Sequence, residues 1–530
     1  MGDIDRRDFL SLTAASVAGL AVFRGSIKAG YADVPDLSEK TITELATAIE
    51  KGELTSEGIT SWYLERIKSL DGRLGSIIEV NPDALAIAKE RDRERGDNKS
   101  IGPLHGIPVV IKDNIDTADK MKTTAGSLAL EDAPAPSKDA FVVKRLREAG
   151  AVILGKTNLS EWANFRDERS ISGWSARGGQ TRNPFSLDRN PCGSSSGTGA
   201  AIAANLAAFG IGTETDGSIV CPASVCGLVG IKPTIGLVSR SGIIPIAASQ
   251  DTAGPMTRTV ADAAIVLDVL DAVDANDRST TQQGKRGERV SYIRSLVPNS
   301  LRGMRIGVAR DYWGKNVAVD TVMNRALDKM KAAGAVLIDV EFPNLMKFGE
   351  AEFEVLQYEF KDGIEKYLKA RGAKHKTIDD LIRFNRENAV REMPHFGQSI
   401  FEASAKKGPL TDRTYLDALQ TCRKYSREDG IDEVMEDQRL DAVAAPSNAP
   451  TWLIDPINGD CFSGYVASSS MPAVAGYPNI TVPAGFYKGL PIGISFFGRA
   501  FSESLLIKAA YGFEQVTRAR QPPDLKLTLN

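Results

Sequence analysis

Pro191-Cys192-Gly193-Ser194-Ser195-Ser196-Gly197-Thr198-Gly199-Ala200 is followed downstream by Gly212-Thr213-Glu214-Thr215-Asp216-Gly217-Ser218-Ile219-Val220-Cys221-Pro222. The first run leads into an alanine-rich stretch, Gly199 to Gly210, whose composition predicts a helix entered from a glycine-serine loop. Upstream of both runs lies Gly106-Ile107-Pro108-Val109-Val110-Ile111-Lys112-Asp113. Its apolar segment from Pro108 to Ile111 reads as a strand that ends at Lys112. Phe141 to Ala149 has helical spacing and stops at Gly150, and Ala151-Val152-Ile153-Leu154 reads as a buried strand. This alternation predicts α/β architecture.

The same periodicities extend outward. Ile42, Leu45, Ala46 and Ile49 share a helical face, as do Ile59, Tyr63, Ile67 and Leu70 after a cap at Thr55-Ser56. Both read as packing helices. Residues 303–340 give a strand from Met304 to Ala309, a helical face through Val322, Met323, Ala326, Leu327 and Met330, and a strand from Ala335 to Val340. Residues 345–438 are charged and helical and read as an insertion or lid. Strands resume at Ala442 to Ala445, Asn479 to Val482 and Ile492 to Phe496, and Ser502 to Val516 reads as a closing helix. No repeat or low-complexity linker interrupts the chain, so one α/β domain with a helical elaboration is expected.

Composition narrows the function. The 530 residues are 42% hydrophobic and 25% charged, with a net charge of -3. No basic stripe supports a nucleic-acid partner. The five cysteines show no C-x-x-C spacing, so zinc is not expected, and buried free thiols are. At the amino terminus Arg6-Arg7 precedes a short apolar stretch, Leu12 to Phe23, and the small residues Ala29-Gly30-Tyr31-Ala32. Residues 1–32 therefore read as a twin-arginine export signal. The apolar stretch is shorter than the ~20 residues of a membrane span. The expected mature protein starts near Asp33, is periplasmic or secreted, and keeps no stable membrane span.

The three glycine-containing runs supply two hydroxyls, at Ser194 and Ser218, and one amine, at Lys112. That set suits a hydrolase whose base is a lysine. A histidine-based alternative is available on paper: Gly193-Ser194-Ser195-Ser196-Gly197 matches the G-x-S-x-G elbow, with Ser195 as nucleophile. An elbow needs an acid and then a histidine downstream. Only His375 and His395 follow, both in the charged helical stretch. A phosphate loop fails as well, because no Gly-Lys-Ser/Thr ending is present.

Taken together, the runs resemble the amidase signature family. Pro191 to Ala200 matches its glycine-serine run, Gly212 to Pro222 its nucleophile run, and Gly106 to Lys112 its lysine run. The separation of Ser194 from Ser218 is also the family's. Flanking matches include Gly155-Lys156-Thr157-Asn158, Gly227 to Thr234, Asp251 to Met256 and Ala475-Gly476-Tyr477-Pro478. Trp162-Ala163-Asn164-Phe165 and Gly173 to Gln180 are similar to the bacterial peptide amidase branch, whose members remove the terminal amide from C-terminally amidated peptides. The resemblance covers the chain after residue 32, with a signature core at about 105–260 and least constraint at 345–438.

The resemblance implies a large mixed, twisted β-sheet covered by helices on both faces. It implies Ser218 as nucleophile, Ser194 as bridging serine and Lys112 as base, with a cis bond between Gly193 and Ser194. Backbone N–H groups of Thr215, Asp216, Gly217 and Ser218 would form the oxyanion hole. No metal or organic cofactor is implied, and the substrate would be a small-molecule or peptide amide. Aryl amides, carbamates and esters fit the same attack geometry. Further alternatives are a silenced binding homologue and the glutaminase component of a tRNA-dependent amidotransferase. Trp174 and Arg177 are candidates for the acyl-side pocket, with core or gate packing as the competing reading. Two residues depart from common members: Glu214 and Asp216 stand where Asp and Gly are usual, which sets a carboxylate beside the proposed oxyanion hole.

Overall fold

The computed structural model describes residues 34–97, 99, 102–285, 291–461 and 464–529. The proposed export signal at 1–32 lies outside the described residues. Among the described residues thirteen strands follow one another: β1 (Ile77–Val80), β2 (Pro108–Lys112), β3 (Val152–Thr157), β4 (Trp174–Ser175), β5 (Gly179–Gln180), β6 (Phe209–Glu214), β7 (Val229–Lys232), β8 (Thr252–Thr257), β9 (Arg305–Ala309), β10 (Val336–Val340), β11 (Ala442–Pro446), β12 (Asn479–Tyr487) and β13 (Leu490–Phe497). All but β4 and β5 join an 11-stranded sheet in the order β1-β3-β2-β6-β8-β7-β12-β13-β11-β9-β10. The sheet is mixed: β2 runs parallel to β3 and to β6, whereas β8, β7, β12 and β13 pair antiparallel.

Strands β2, β3, β6, β8, β11 and β13 are buried along their whole length. Strands covered on both faces carry apolar and small residues in unbroken runs, which is how they read in the sequence. Helices Ile42–Glu50 and Ser56–Leu74 form where the spacing predicts, with Thr41 and Thr55 as side-chain caps. The glycine-serine loop does enter a helix, but that helix spans only Ser196–Ala203, and the chain is already a strand from Phe209. An alanine-rich run that is buried all round carries no period to mark its end.

Between β10 and β11 the chain is helical, with helices Gly349–Arg371, Ile378–Glu387, Ser399–Ala405 and Arg413–Arg423. Phe360, Ile364, Ile382 and Phe401 of this region pack with Ala125, Trp162, Phe165 and Ile244 in an apolar cluster apart from the main core. No described helix is long and apolar enough to cross a membrane.

The topology gathers the functional runs at one place. Parallel strands β2 and β6 are neighbours, with Ile111 opposite Ile211. Lys112 ends one strand, and Thr213 and Glu214 end the other. Crevices at the carboxyl ends of parallel strands are where such sheets bind ligands.

Candidate active site

Lys112 is completely buried at the end of β2. Its Nζ lies 2.8 Å from Ser194 Oγ, 2.8 Å from Thr213 Oγ1 and 3.1 Å from the Thr213 carbonyl oxygen. Burial pushes the amine down to about 7, against the opposing pull of Glu214 and Asp251. A neutral amine has two N–H donors and one lone pair. The two Thr213 oxygens can accept its N–H groups, which leaves the lone pair facing the Ser194 hydroxyl. Asn114 Nδ2 donates to Thr213 Oγ1 at 3.0 Å and holds that threonine in place.

Asp113 adjoins Lys112 in sequence but faces the other way, as alternation along a strand requires. Its carboxylate accepts from the Thr124 hydroxyl and from Arg177 Nη1 at 3.5 Å. Charge on Asp113 is thus neutralised by Arg177 and Lys156 and does not hold the Lys112 amine charged.

The two serine loops lie against each other. The Gly193–Ser194 peptide bond is cis. Ser195 N–H donates to the Ser218 carbonyl at 3.1 Å. Gly197 could not be any other residue: a Cβ there would sit 2.3 Å from the Ser76 carbonyl oxygen and 2.5 Å from that of Asn158. Gly217 has φ +79°, a left-handed conformation that glycine adopts without steric cost. Glu214 accepts from the N–H groups of Ile219 and Val220 at 2.8 and 3.0 Å and so caps the helix Val220–Val225 that begins just after Ser218. Among the described residues, the backbone N–H groups of Thr215, Asp216, Gly217 and Ser218 donate to no protein acceptor. They are available to an incoming oxygen atom.

Asp216 is half-buried, and the loss of water around its carboxyl raises it above the ordinary range while hydroxyls of Ser469 and Ser470 and the charge of Lys232 oppose the shift. Glu352, on helix Gly349–Arg371, is pushed up to about 8 by burial and by the nearby Asp216 charge. Gln250 joins them: its Nε2 donates to Glu352 Oε1 at 2.9 Å and to the Thr215 carbonyl at 3.2 Å.

Two cavities meet this assembly. One of about 830 Å³ is lined by Gly193, Asp216, Gly217 and Glu352 together with aromatic groups such as Tyr312 and Trp452. The other, of about 410 Å³, reaches Ser194 and Thr213 from a side lined by Arg240, Asp251 and Glu359. Trp162, Ala163 and Asn164 have φ of 50°, 56° and 69°. A left-handed backbone costs roughly 1–2 kcal/mol for each such residue. This turn lies beside the site, with Ala163 on the smaller cavity and Asn164 on the larger.

One expectation needs correction, and the structure also places three residues that the sequence left between alternative readings. Cys192 and Cys221 form a disulfide, so they are not free thiols. The loops that carry them converge only in three dimensions, and neither residue sits in a recognisable cysteine spacing. Cys226 and Cys422 are free and buried, whereas free Cys461 is exposed. Trp174 and Arg177 line neither cavity. Trp174 packs edge-on against Phe396 at 5.2 Å, and Arg177 pairs with Glu79 and Asp113. Ser195, the elbow candidate, is fully buried and spends its hydroxyl on the Thr213 carbonyl at 3.0 Å. Sequence reasoning missed Thr213, Gln250 and Glu352; the threonine at least lies within the Gly212 to Pro222 run, one residue before Glu214.

This fold and this site define an amide hydrolase. The chain belongs to the amidase family, whose model, described as Amidase, matches residues 58–507. Among particular relatives, the native peptide amidase from Stenotrophomonas maltophilia has a solved structure that superimposes with a TM-score of 0.88 at 48% identity, covering 92% of this chain and 99% of that one. A solved amidase family protein from Bacillus anthracis superimposes with a TM-score of 0.83 at 35% identity, over 92% of this chain and 93% of that one. A probable amidase from Arabidopsis thaliana is 39% identical over 497 residues, 92% of each chain.

Proposed function

We propose that this amidase hydrolyses primary carboxamides at the C-termini of peptides, through an ester intermediate on Ser218. The observation that carries the reading is the buried amine of Lys112, 2.8 Å from Ser194 Oγ and with no carboxylate bonded to it. Ser218 Oγ attacks the carbonyl carbon. Its proton passes to Ser194 Oγ as Ser194 gives its own proton to the Lys112 lone pair. The carbonyl oxygen becomes an oxyanion that accepts from the N–H groups of the 215–218 loop, each such donor being worth about 10²–10³ in rate. The relay then runs backwards: Lys112 returns a proton through Ser194 to the leaving nitrogen, ammonia departs, and an acyl-Ser218 ester remains. Water repeats the cycle and releases the acid.

Peptide amides are favoured within the class by the similarity to the Stenotrophomonas maltophilia enzyme and by the larger cavity. At about 830 Å³ that cavity has room for a short peptide. The test is a panel of amidated peptides, anilides, carbamates and esters presented to the purified chain. The reading expects the highest kcat/KM on amidated peptides, with ammonia and the free peptide acid as products. Preference for an anilide or ester by tenfold or more would overturn the peptide assignment. We further propose export by residues 1–32; a fusion of that segment to a reporter enzyme should carry it out of the cytoplasm, and replacement of Arg6 and Arg7 by lysine should retain it there.

A further inference from the structure

The Cys192–Cys221 disulfide occupies a particular place in the site. Cys192 lies two residues before Ser194, and Cys221 lies three residues after Ser218. At the other end of the same two segments, Ser195 N–H donates to the Ser218 carbonyl at 3.1 Å. Residues 192–195 and 218–221 therefore form a closed ring, joined covalently at one end and by a hydrogen bond at the other. Both Ser194 and Ser218 belong to this ring.

Hydrogen bonds tie each half of the ring to its own surroundings: Ser160 N–H donates to the Ser194 carbonyl at 3.2 Å, Ser195 Oγ donates to the Thr213 carbonyl at 3.0 Å, and Glu214 accepts from Ile219 and Val220 N–H, while the disulfide is the covalent link between the halves. Cys192 has φ 58°, a left-handed conformation that a residue with a Cβ adopts at a cost. Its N–H donates to Asn190 Oδ1 at 2.8 Å and its carbonyl accepts from Ser196 Oγ at 2.6 Å. Cys221 N–H is tied within its own loop, to the Gly217 carbonyl at 2.8 Å. Both sulfur-bearing residues line the 830 Å³ cavity.

We propose that the Cys192–Cys221 disulfide is a positioning element that fixes the spacing of the Ser194 and Ser218 loops, making turnover depend on the oxidised chain. The inference rests on the roles proposed above for the two serines. Proton relay between hydroxyls is steep in distance, and a displacement of about 1 Å in a catalytic group can cost about 10²-fold in rate. Reduction by a dithiol of the dithiothreitol class proceeds by ordinary exchange. One reagent thiolate attacks a protein sulfur and expels the other as thiolate. The second reagent thiol then displaces the first, closing a cyclic disulfide. Two electrons pass from reagent to protein, and Cys192 and Cys221 end as protonated thiols. Reoxidation needs a disulfide of the glutathione class, with the reverse balance. Disulfides persist in oxidising compartments and are removed in reducing ones. The clamp would thus confine activity to the oxidised side of the membrane.

The test uses the full chain, with exposed Cys461 first blocked by iodoacetamide. Dithiothreitol is added, and alkylation with mass mapping confirms the state of Cys192 and Cys221. Steady-state rates on an amidated peptide, the labelling rate of Ser218 by a fluorophosphonate, and circular dichroism are then compared. The expected result is a fall in kcat of tenfold or more with KM changed less than threefold, a parallel fall in labelling rate, an unchanged fold, and recovery on reoxidation by glutathione disulfide. A Cys192→Ser, Cys221→Ser double variant should sit at the low rate and ignore dithiol. Equal kcat in the oxidised and reduced chains overturns the proposal, as does loss of the fold on reduction, since the bond would then serve stability alone. Should the oxidised chain turn over no amide, the functional reading fails, and the labelling rates still decide the clamp. Equal labelling in both states, or none in either, overturns it.

Discussion

The serine loops and the helical region between β10 and β11 are built on opposite principles. In the loops the Lys112 amine and the Thr213 and Ser195 hydroxyls are fixed by neighbours in the sheet or in the next loop, and side chains are small or absent so that backbones can touch. The helical region is charged outside and apolar inside, and it forms part of the wall of both cavities, with Phe348, Phe353 and Ile400 on the larger, Glu359 and Lys366 on the smaller, and Glu352 bonded to Gln250. Among its ties is a fully buried guanidinium, Arg166, which pairs with Glu161, donates to the Glu392 carbonyl and lies 4.2 Å from the Phe396 ring centre, and Arg371 pairs with Asp116 at 2.9 Å. The contrast separates two tasks. Bond-making needs rigid, short-range geometry. Shaping the cavity needs only a well-anchored wall.

That division can be broken by substitutions, and their effects should fall off from the loops to the helices. Ser218→Ala should lower turnover by on the order of 10⁴–10⁶-fold and abolish fluorophosphonate labelling; labelling that persists at Ser195 would restore the elbow. Lys112→Ala and Ser194→Ala should each lose about 10²–10⁴ in kcat, the range of general acid–base assistance, with an unchanged circular dichroism spectrum. If the two act as one relay, the double variant should be little worse than either single. Additive losses would mean that they work separately.

Glu352→Gln probes the boundary between the regions. Its carboxyl, held up at about 8 by burial and by Asp216, is neutral at pH 7 and gains charge above that value. A new negative charge beside Asp216 opposes the developing oxyanion, so the wild-type rate should decline above pH ~8. Glu352→Gln cannot gain charge and should flatten that decline, with a rate at pH 7 within several-fold of wild type. An alkaline limb that survives the substitution would remove Glu352 from it. The smallest effect belongs to the outer helical surface: Val390 is 90% exposed, and Val390→Ser should change stability by no more than about 0.5 kcal/mol and leave kcat unaltered.

How much of this was legible in the sequence follows the same division. Lys112 could be picked out because a lysine at the end of an apolar strand, near two serine-glycine loops, is chemically unusual. The strands and most helices could be read because their apolar residues keep period. Cys192 and Cys221 could not be paired, since they are 29 positions apart with a whole strand between them and nothing local marks either as half of a disulfide. The left-handed turn at 162–164 was equally hidden: tryptophan and alanine give no sign of positive φ. Glu352 read as one more acidic residue on a charged helix, and only folding brings it to Gln250. Trp174 and Arg177 sat in a stretch that resembled the peptide amidase branch, yet their contacts are with Phe396, Glu79 and Asp113. Resemblance placed the segment correctly and said nothing about which way its side chains point.

The central claim is that an uncharged lysine activates Ser218 through Ser194. Its most direct test is the rate at which a fluorophosphonate labels Ser218 as pH is varied, in wild type and in Lys112→Ala. With Lys112 pushed down to about 7, the amine is charged and idle at pH 5 and neutral at pH 9, so wild-type labelling should rise tenfold per pH unit at low pH and level off above pH ~7. Lys112→Ala should label slowly and show no inflection near 7. A variant that labels at the wild-type rate with the same inflection would contradict the account.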